Sequence, residues 1–530
     1  MHLPVARDTL VTGTMKEKAD LLLFNANVLT LDPARPRGEI VAIRGDRILS
    51  VGNNSEREDL TGRSTRCIDC GGRTVLPGFH DAHMHLFALA SNLISLDCSP
   101  SAVSSIVEIQ RLISRKAMTT PPGKWIKAAG YNEFYLEERR HPTRWDLDKA
   151  APAHPVKLAH RTRHACVLNS RALALAGITA ETPDPPGGLI ERDPETGEPT
   201  GLLFGMNAYL SESVVPPPSD EELSEAIGRA SRILLAAGIT SLQDATSHNG
   251  PTQWERFRKA KESGKLIPRI KMMLGIREFQ KFKALNPGAK TDDPELSIGA
   301  VKIMLDEVSG RLNPPQADLN EMVLTAHQAG FQVALHAIEE NTVEAAAAAI
   351  AYALQRLPLN DHRHRIEHCA ECPPRLLQRL EALQIAVVTQ PAFLYFHGER
   401  YFATVEEHRL PWLYRIGSWH KAGLLTAASS DSPVIPVDPL TGIYAAVTRK
   451  AQTGREFLPE ERISISQALW MHTAAGSHAA FEEKLKGTIA PGKLADLVLL
   501  SADPTRVPPE EIRAIRVEKT ILGGRIVWEA

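Results

Sequence analysis

The sequence predicts an α/β protein: a (β/α)8 TIM barrel, a small β-sandwich domain built from both termini, and a large insertion after the first barrel strand. Three observations predict it. Eight short apolar runs alternate with helix-like stretches through the middle of the chain. Several of those stretches end in Ala-Gly just before the next run, where glycine supplies a left-handed helix stop. Strand-like segments with glycine turns occupy both ends, neither group large enough for a core of its own. The expected division is residues 1–76 and 487–530 for the sandwich and 77–486 for the barrel, with 100–220 as an insertion over the active site.

At the N-terminal end, Leu21–Phe24 and Asn27–Thr30 precede a hairpin in which Ile40–Ile43 and Ile48–Val51 flank Arg44-Gly45-Asp46-Arg47. Gly72–Leu76 then stops at Pro77-Gly78. The barrel strands are expected at Pro77–His85, Ile239–Asp244, Ile267–Gly275, Ala300–Leu305, Phe331–His336, Arg363–His368, Ile385–Gln390 and Leu424–Asp431. Helices are expected between them, as at Ser219–Ala237, Gln316–Ala329, Glu339–Gln355 and Pro374–Leu383. Eight such units fit a closed barrel; an open doubly wound sheet is the alternative, but no glycine-rich phosphate loop follows any strand. The stretch from His85 to Ile239 is far too long for a crossover, and its helix-like pieces and proline-rich turns read as the insertion. Leu494–Leu500, Ile515–Leu522 and Arg525–Val527 return the chain to the β-domain.

Composition narrows the functional classes. Of 530 residues, 43% are hydrophobic and 23% charged, which excludes a disordered or coiled-coil chain. Lys plus Arg number 61 against 63 Asp plus Glu, so no general charge draws the chain to nucleic acid or an anionic membrane. The longest apolar stretch, Ala345–Leu354, is half a membrane span. Arg7 and Asp8 lie where the apolar core of a leader would be, and six cysteines make no disulfide scaffold, so a cytoplasmic protein is expected. Cys67 with Cys70 and Cys369 with Cys372 have zinc-like spacing, but buried thiols are the better reading.

Polar residues at the ends of these strands carry the chemistry. His83 and His85, two apart on a strand, face one side and can meet one ion. His336 ends strand five, His368 strand six and Asp431 strand eight, and Lys302 stands in the otherwise apolar run Ala300–Leu305. Barrel enzymes place catalysis at that face. His362 and His364 share the spacing but precede strand six, at the opposite face.

Pro77-Gly78-Phe79-His80-Asp81-Ala82-His83-Met84-His85 resembles the first-strand metal motif of the amidohydrolase superfamily, and Gly487–Val498 resembles its re-entry into the β-domain. Trp125, the run Asp148–Val156, His164 and Asn169-Ser170-Arg171-Ala172-Leu173 are similar to the branch of YtcJ-like proteins and N-substituted formamide deformylases. The resemblance implies a metal-dependent hydrolase that cleaves a non-peptide C–N bond of an N-substituted formamide or amide by a metal-activated hydroxide. Hydrolysis of a cyclic amide, or deamination, is the alternative, and a non-catalytic binding protein on the same barrel is the distant one. The implied ligands of one or two zinc ions, two favoured, are His83, His85, Lys302, His336, His368 and Asp431. Asp431 and His164 would be catalytic; His164, Glu307, Arg311 and Trp125 would contact a small-molecule substrate. A homodimer is implied too. Lys302 would be carboxylated and bridge two ions, or would instead pair with Asp306 or Glu307 beside one. Glu307 and Arg311 could equally form an ion pair with each other, and His164 could be a hydrogen-bonded insertion residue. The chain departs from the branch after strand five (Ala337-Ile338-Glu339-Glu340) and after strand four (Asp306–Arg311), in two loops expected to border the substrate.

Overall fold

The computed structural model describes residues 17–185, 187–285, 293–308 and 310–530. The N-terminal stretch searched for a leader, Pro186 of the proline-rich turn and Ser309 of the strand-four loop lie outside them.

Eight strands form one parallel sheet: β1 (Phe79–Met84), β2 (Ile239–Asp244), β3 (Arg269–Gly275), β4 (Leu296–Met304), β5 (Val333–Ala337), β6 (Arg365–His368), β7 (Ala386–Thr389) and β8 (Thr426–Ala428). Each pairs with its sequence neighbour. β8 and β1 are joined just beyond their C-terminal ends, where the Asp431 amide donates to His83 O (2.9 Å) and the His85 amide to Ser432 O (2.8 Å). The sheet is therefore a nearly closed barrel whose seam lies at its mouth. The strands are runs of apolar residues because parallel strands are covered on both faces. Gly238, between helix Asp220–Ala236 and β2, has φ +78°, and a Cβ there would lie 2.9 Å from Val498 and 3.0 Å from Phe79. Only glycine fits both constraints.

The terminal segments form two further sheets. One is N-terminal, ordered 47–52, 40–44, 21–24, 66–69. The other mixes both ends, with strand 497–500 lying between 74–77 and 517–522. Leu23, Val28, Val41, Val75, Leu497 and Ile521 fill the space between them. Asp496 accepts from Gly523 N and takes a two-point ion pair from buried Arg269 (2.7 and 3.0 Å), which stitches this small domain to the start of β3.

The segment between β1 and β2 is richer in strands than its sequence suggests. Six strands (96–97, 126–131, 156–160, 165–168, 189–192 and 199–204) form a mixed sheet, packed on helix Ile106–Thr119 through Ile109, Ile113, Ile126 and Leu158. No helix among the described residues is long and apolar enough to cross a membrane. All six cysteines are free; Cys67 and Cys70 belong to the terminal sheets, whereas Cys369 and Cys372 are buried after β6.

Candidate active site at the barrel mouth

β1 delivers His83 and, one residue beyond its end, His85; the chain after β8 delivers Asp431 opposite them. His85 Nε2 is 3.1 Å and His83 Nε2 3.5 Å from Asp431 Oδ1, and ligand atoms of the three lie within 4.8 Å of one another. His336 from β5 and His368 from β6 form a second group, with His368 Nε2 3.0 Å from His336 Nδ1. Nitrogen and oxygen donors on one tetrahedral zinc would stand about 3.3 Å apart. The separations among His83, His85 and Asp431 fit one divalent cation. Asp431 (φ +54°) and His368 (φ +70°) both hold left-handed backbone, a conformation that non-glycine residues adopt at some cost and that recurs at functional sites.

The partners behind these rings set their tautomers. Glu367 Oε2 accepts from His83 Nδ1, which leaves the Nε2 lone pair facing Asp431. His85 Nδ1 lies 3.1 Å from Thr246 Oγ1, and His368 Nδ1 donates to Gln390 Oε1 (2.8 Å). Glu367 is itself held by fully buried Arg365, whose guanidinium also reaches Gln243 Oε1 (2.6 Å) and Ala82 O (2.7 Å). Asp81 accepts from the amides of His83 and Ser430, fastening the β1 end to the chain beyond β8. The barrel interior beneath the mouth is thus ionic where branched apolar side chains would otherwise pack.

Burial pushes the His83 ring down to about 3 and lowers His336 and His368 too, so all three are neutral donors at neutral pH. Burial alone would raise the Asp431 carboxyl, but the His85 hydrogen bond and the His83 and His368 rings outweigh it and hold the group well below the usual carboxylate range. Lys302 is 1% exposed, and its Nζ has no hydrogen-bond partner. Neither Asp306 nor Glu307 pairs with it. Asp306 lies 3.5 Å from His336 Nε2, and Glu307 accepts from Asn341 Nδ2 (3.0 Å). Burial brings the Lys302 ammonium down to about 8.

The remaining candidates lie at different distances from this centre. His164 is exposed on the insertion, its ring 6.2 Å from that of His336. Glu307 and Arg311 stand on facing strands of a two-strand hairpin, paired with Leu312 and Val308 rather than with each other. Trp125 packs against Leu168, Leu173, Met206 and Leu210 within the insertion. The sequence reading passed over Arg365 and Glu367. The available signal was their period-two spacing within a buried parallel strand, a position where two opposite charges must answer each other.

Comparison with known proteins agrees with this geometry. The model of the amidohydrolase family matches residues 66–528. An N-substituted formamide deformylase of Arthrobacter pascens is 29% identical over 97% of this chain and 99% of its own. A putative amidohydrolase, YtcJ, of Bacillus subtilis (strain 168) is 30% identical over 93% and 96%. The solved structure of an uncharacterized metal-dependent hydrolase from Pyrococcus furiosus, 24% identical, superposes with a TM-score of 0.71 over 92% of this chain and all of that one, a likeness of fold. A barrel whose mouth gathers His83, His85 and Asp431, matched along nearly its whole length, belongs to the amidohydrolase family: the chain is a metal-dependent hydrolase acting on carbon–nitrogen bonds.

Proposed function

We propose that the protein hydrolyses the C–N bond of an N-substituted formamide or related amide, with zinc as its metal. The observation that carries this reading is the convergence of two imidazoles and one carboxylate within 4.8 Å at the barrel mouth. The relatedness to a formamide deformylase over the whole chain supports the substrate class. When bound, zinc polarises the substrate carbonyl and lowers the pKa of water toward neutrality. The chain's own groups do the rest. Asp431, kept ionised by the histidines around it, takes the proton of the attacking water as the new C–O bond forms. It then hands that proton to the nitrogen as the C–N bond breaks. His164, whose ring centroid is 6.2 Å from that of His336, would donate to the oxyanion.

Lys302 is the residue through which the two groups become one site. A bare ammonium without a partner is a poor occupant of such a position. With burial holding it near 8, part of the population is the free amine, which can add to carbon dioxide with release of a proton. The resulting carbamate would add two anionic oxygens to the histidine and aspartate ligands, which favours a two-ion site.

The test is chelation of the full-length protein, followed by reconstitution with zinc and assay on N-formyl, N-acyl and cyclic amides. Turnover should fall by about 10³-fold or more on metal removal and return on reconstitution, yielding a separate amine and acid. Full activity in verified metal-free protein overturns the reading; a ring-opened acid or free ammonia as sole product overturns the substrate class. Wild-type protein should hold two ions. Lys302→Ala should lose metal and regain activity with a short carboxylic acid, whereas a lysine beside a single ion predicts no rescue.

A further inference from the structure

Among the described residues, four arginines are almost wholly buried, and three have evident partners. Arg365 is bonded to Glu367 and Gln243, Arg269 to Asp496, and Arg449 to the carbonyls of Phe457, Tyr414 and Leu413. Arg161 differs. It is 6% exposed, its Nη1 meets only the neutral acceptor His397 Nε2 (2.8 Å), its Nε is unpartnered, and no carboxylate stands at ion-pair distance. Glu133, the acid nearest in its field, faces His160 Nε2 at 2.9 Å. Arg400, about one turn beyond His397 on the same helix, adds a second positive charge rather than compensating the first. Beside Arg161, whose amide donates to Tyr131 O, Asn132 presents a buried Nδ2 with no acceptor, its Oδ1 being occupied by Phe134 N. Burying a cation unanswered is costly, and an anion would answer it.

Two chain paths tie this position to the metal-ligand groups. His164 lies three residues beyond Arg161, over His336. On the other side, Phe393 contacts both His397 and Tyr414 (ring centroids 5.2 and 6.3 Å), and the Tyr414 amide bonds Ala370 O, two residues past His368.

We propose that Arg161, with Arg400 adding to its field, is an anion subsite for a carboxylate on the substrate. The molecules cleaved are then N-formyl or N-acyl amino acids and related amidic acids, in preference to neutral amides. This rests on the hydrolase reading above. Arg161 is a specificity residue: it binds the end of the substrate that does not react.

The test uses zinc-reconstituted full-length protein and two compounds with the same scissile bond, N-formylphenylalanine and its N-methylamide. The acid should be favoured in kcat/KM by about 10²-fold, mostly through KM. In Arg161→Gln that preference should collapse toward one, and Arg161→Lys, which keeps the charge, should retain part of it. Equal turnover of the pair by the wild type, or a preference unmoved in Arg161→Gln, overturns the subsite. Calorimetric titration with benzoate reads the subsite without turnover: binding by the wild type that is lost in Arg161→Gln supports it, and absence of binding overturns it. Should neither formyl compound nor any other amide be cleaved while benzoate binding still depends on Arg161, the hydrolase reading falls and the anion subsite stands.

Discussion

The barrel carries a histidine cluster at each end, and the two differ in what their nitrogens do. At the bottom, His362 Nδ1 accepts from the His364 amide and its Nε2 reaches Leu383 O; His364 Nδ1 accepts from the Val333 amide. His364 Nε2 meets His327 Nδ1 at 2.9 Å, and His327 Nε2 ends the chain on Leu357 O. All six nitrogens are used. At the mouth, by contrast, the outer nitrogens of His83, His85 and His368 face other acceptors, and His336 Nε2 and Lys302 Nζ have no hydrogen-bond partner. Burial lowers His362 and His364 at one end as it lowers His83, His336 and His368 at the other, so burial and depressed basicity do not distinguish a structural cluster from a functional one. Unspent hydrogen-bonding capacity does.

The comparison can be broken by mutation at either end. The largest effect is expected at Asp431, whose carboxylate serves the mouth and little of the core. Asp431→Asn should lower turnover by about 10²-fold or more with a thermal unfolding curve close to wild type. A metal-loaded variant with normal turnover would remove Asp431 from the chemistry. Next comes Glu367, which belongs to both worlds. Glu367→Gln leaves Arg365 buried without its counter-charge and loosens His83, so stability should drop by about 3–5 kcal/mol and metal affinity by about 10–100-fold. Denaturant titration and a competitive chelator read the two losses separately. At the bottom, His364→Leu strands the Val333 amide and His327 Nδ1, and should cost about 1–3 kcal/mol while metal content and kcat stay at wild-type values. A change in metal content there would erase the distinction between the ends.

The smallest effect is expected from acid. Burial lowers His362 and His364 at the bottom, and His80 and His472 fall to about 3. The unfolded chain takes up protons near pH 6.5 that these folded rings refuse, so stability rises with pH through that window. The contribution is fully present above about pH 6.5 and declines as pH falls toward 3. Urea midpoints of metal-free protein between pH 7.5 and 4.5 should track it, and a flat profile would mean the rings are not held neutral.

Much of the fold is legible in the sequence because a parallel barrel writes it in continuous runs. Eight apolar segments, each closed by a turn residue, place the strands within a few residues, and His336 and His368 stand at the strand ends where the sequence puts them. The insertion was less legible. Its strands are short, several are antiparallel, and a fully buried apolar run as brief as Ala165-Cys166-Val167-Leu168 does not by itself separate strand from loop. Trp125 illustrates a second limit: an aromatic residue in an insertion reads equally as pocket lining or as core, and only packing shows that it sits among Leu168, Leu173 and Met206. The bond from Glu367 to His83 joins strands six and one, and no local pattern announces which buried charges will meet across a closed barrel.

Strand 497–500 has a consequence for how the chain is made. It pairs along strand 74–77, whose other edge is already taken by 27–29. During synthesis the early strand therefore emerges with one edge unpaired, and it keeps that edge through translation of the whole barrel, until strand 497–500 is made. An open edge held that long is an invitation to pair with the wrong chain. The short run Thr74–Pro77, ended by a proline, limits that hazard, because a brief edge closed by a residue without an amide hydrogen is a poor template. Strand 497–500 thus closes an edge that the barrel itself leaves open.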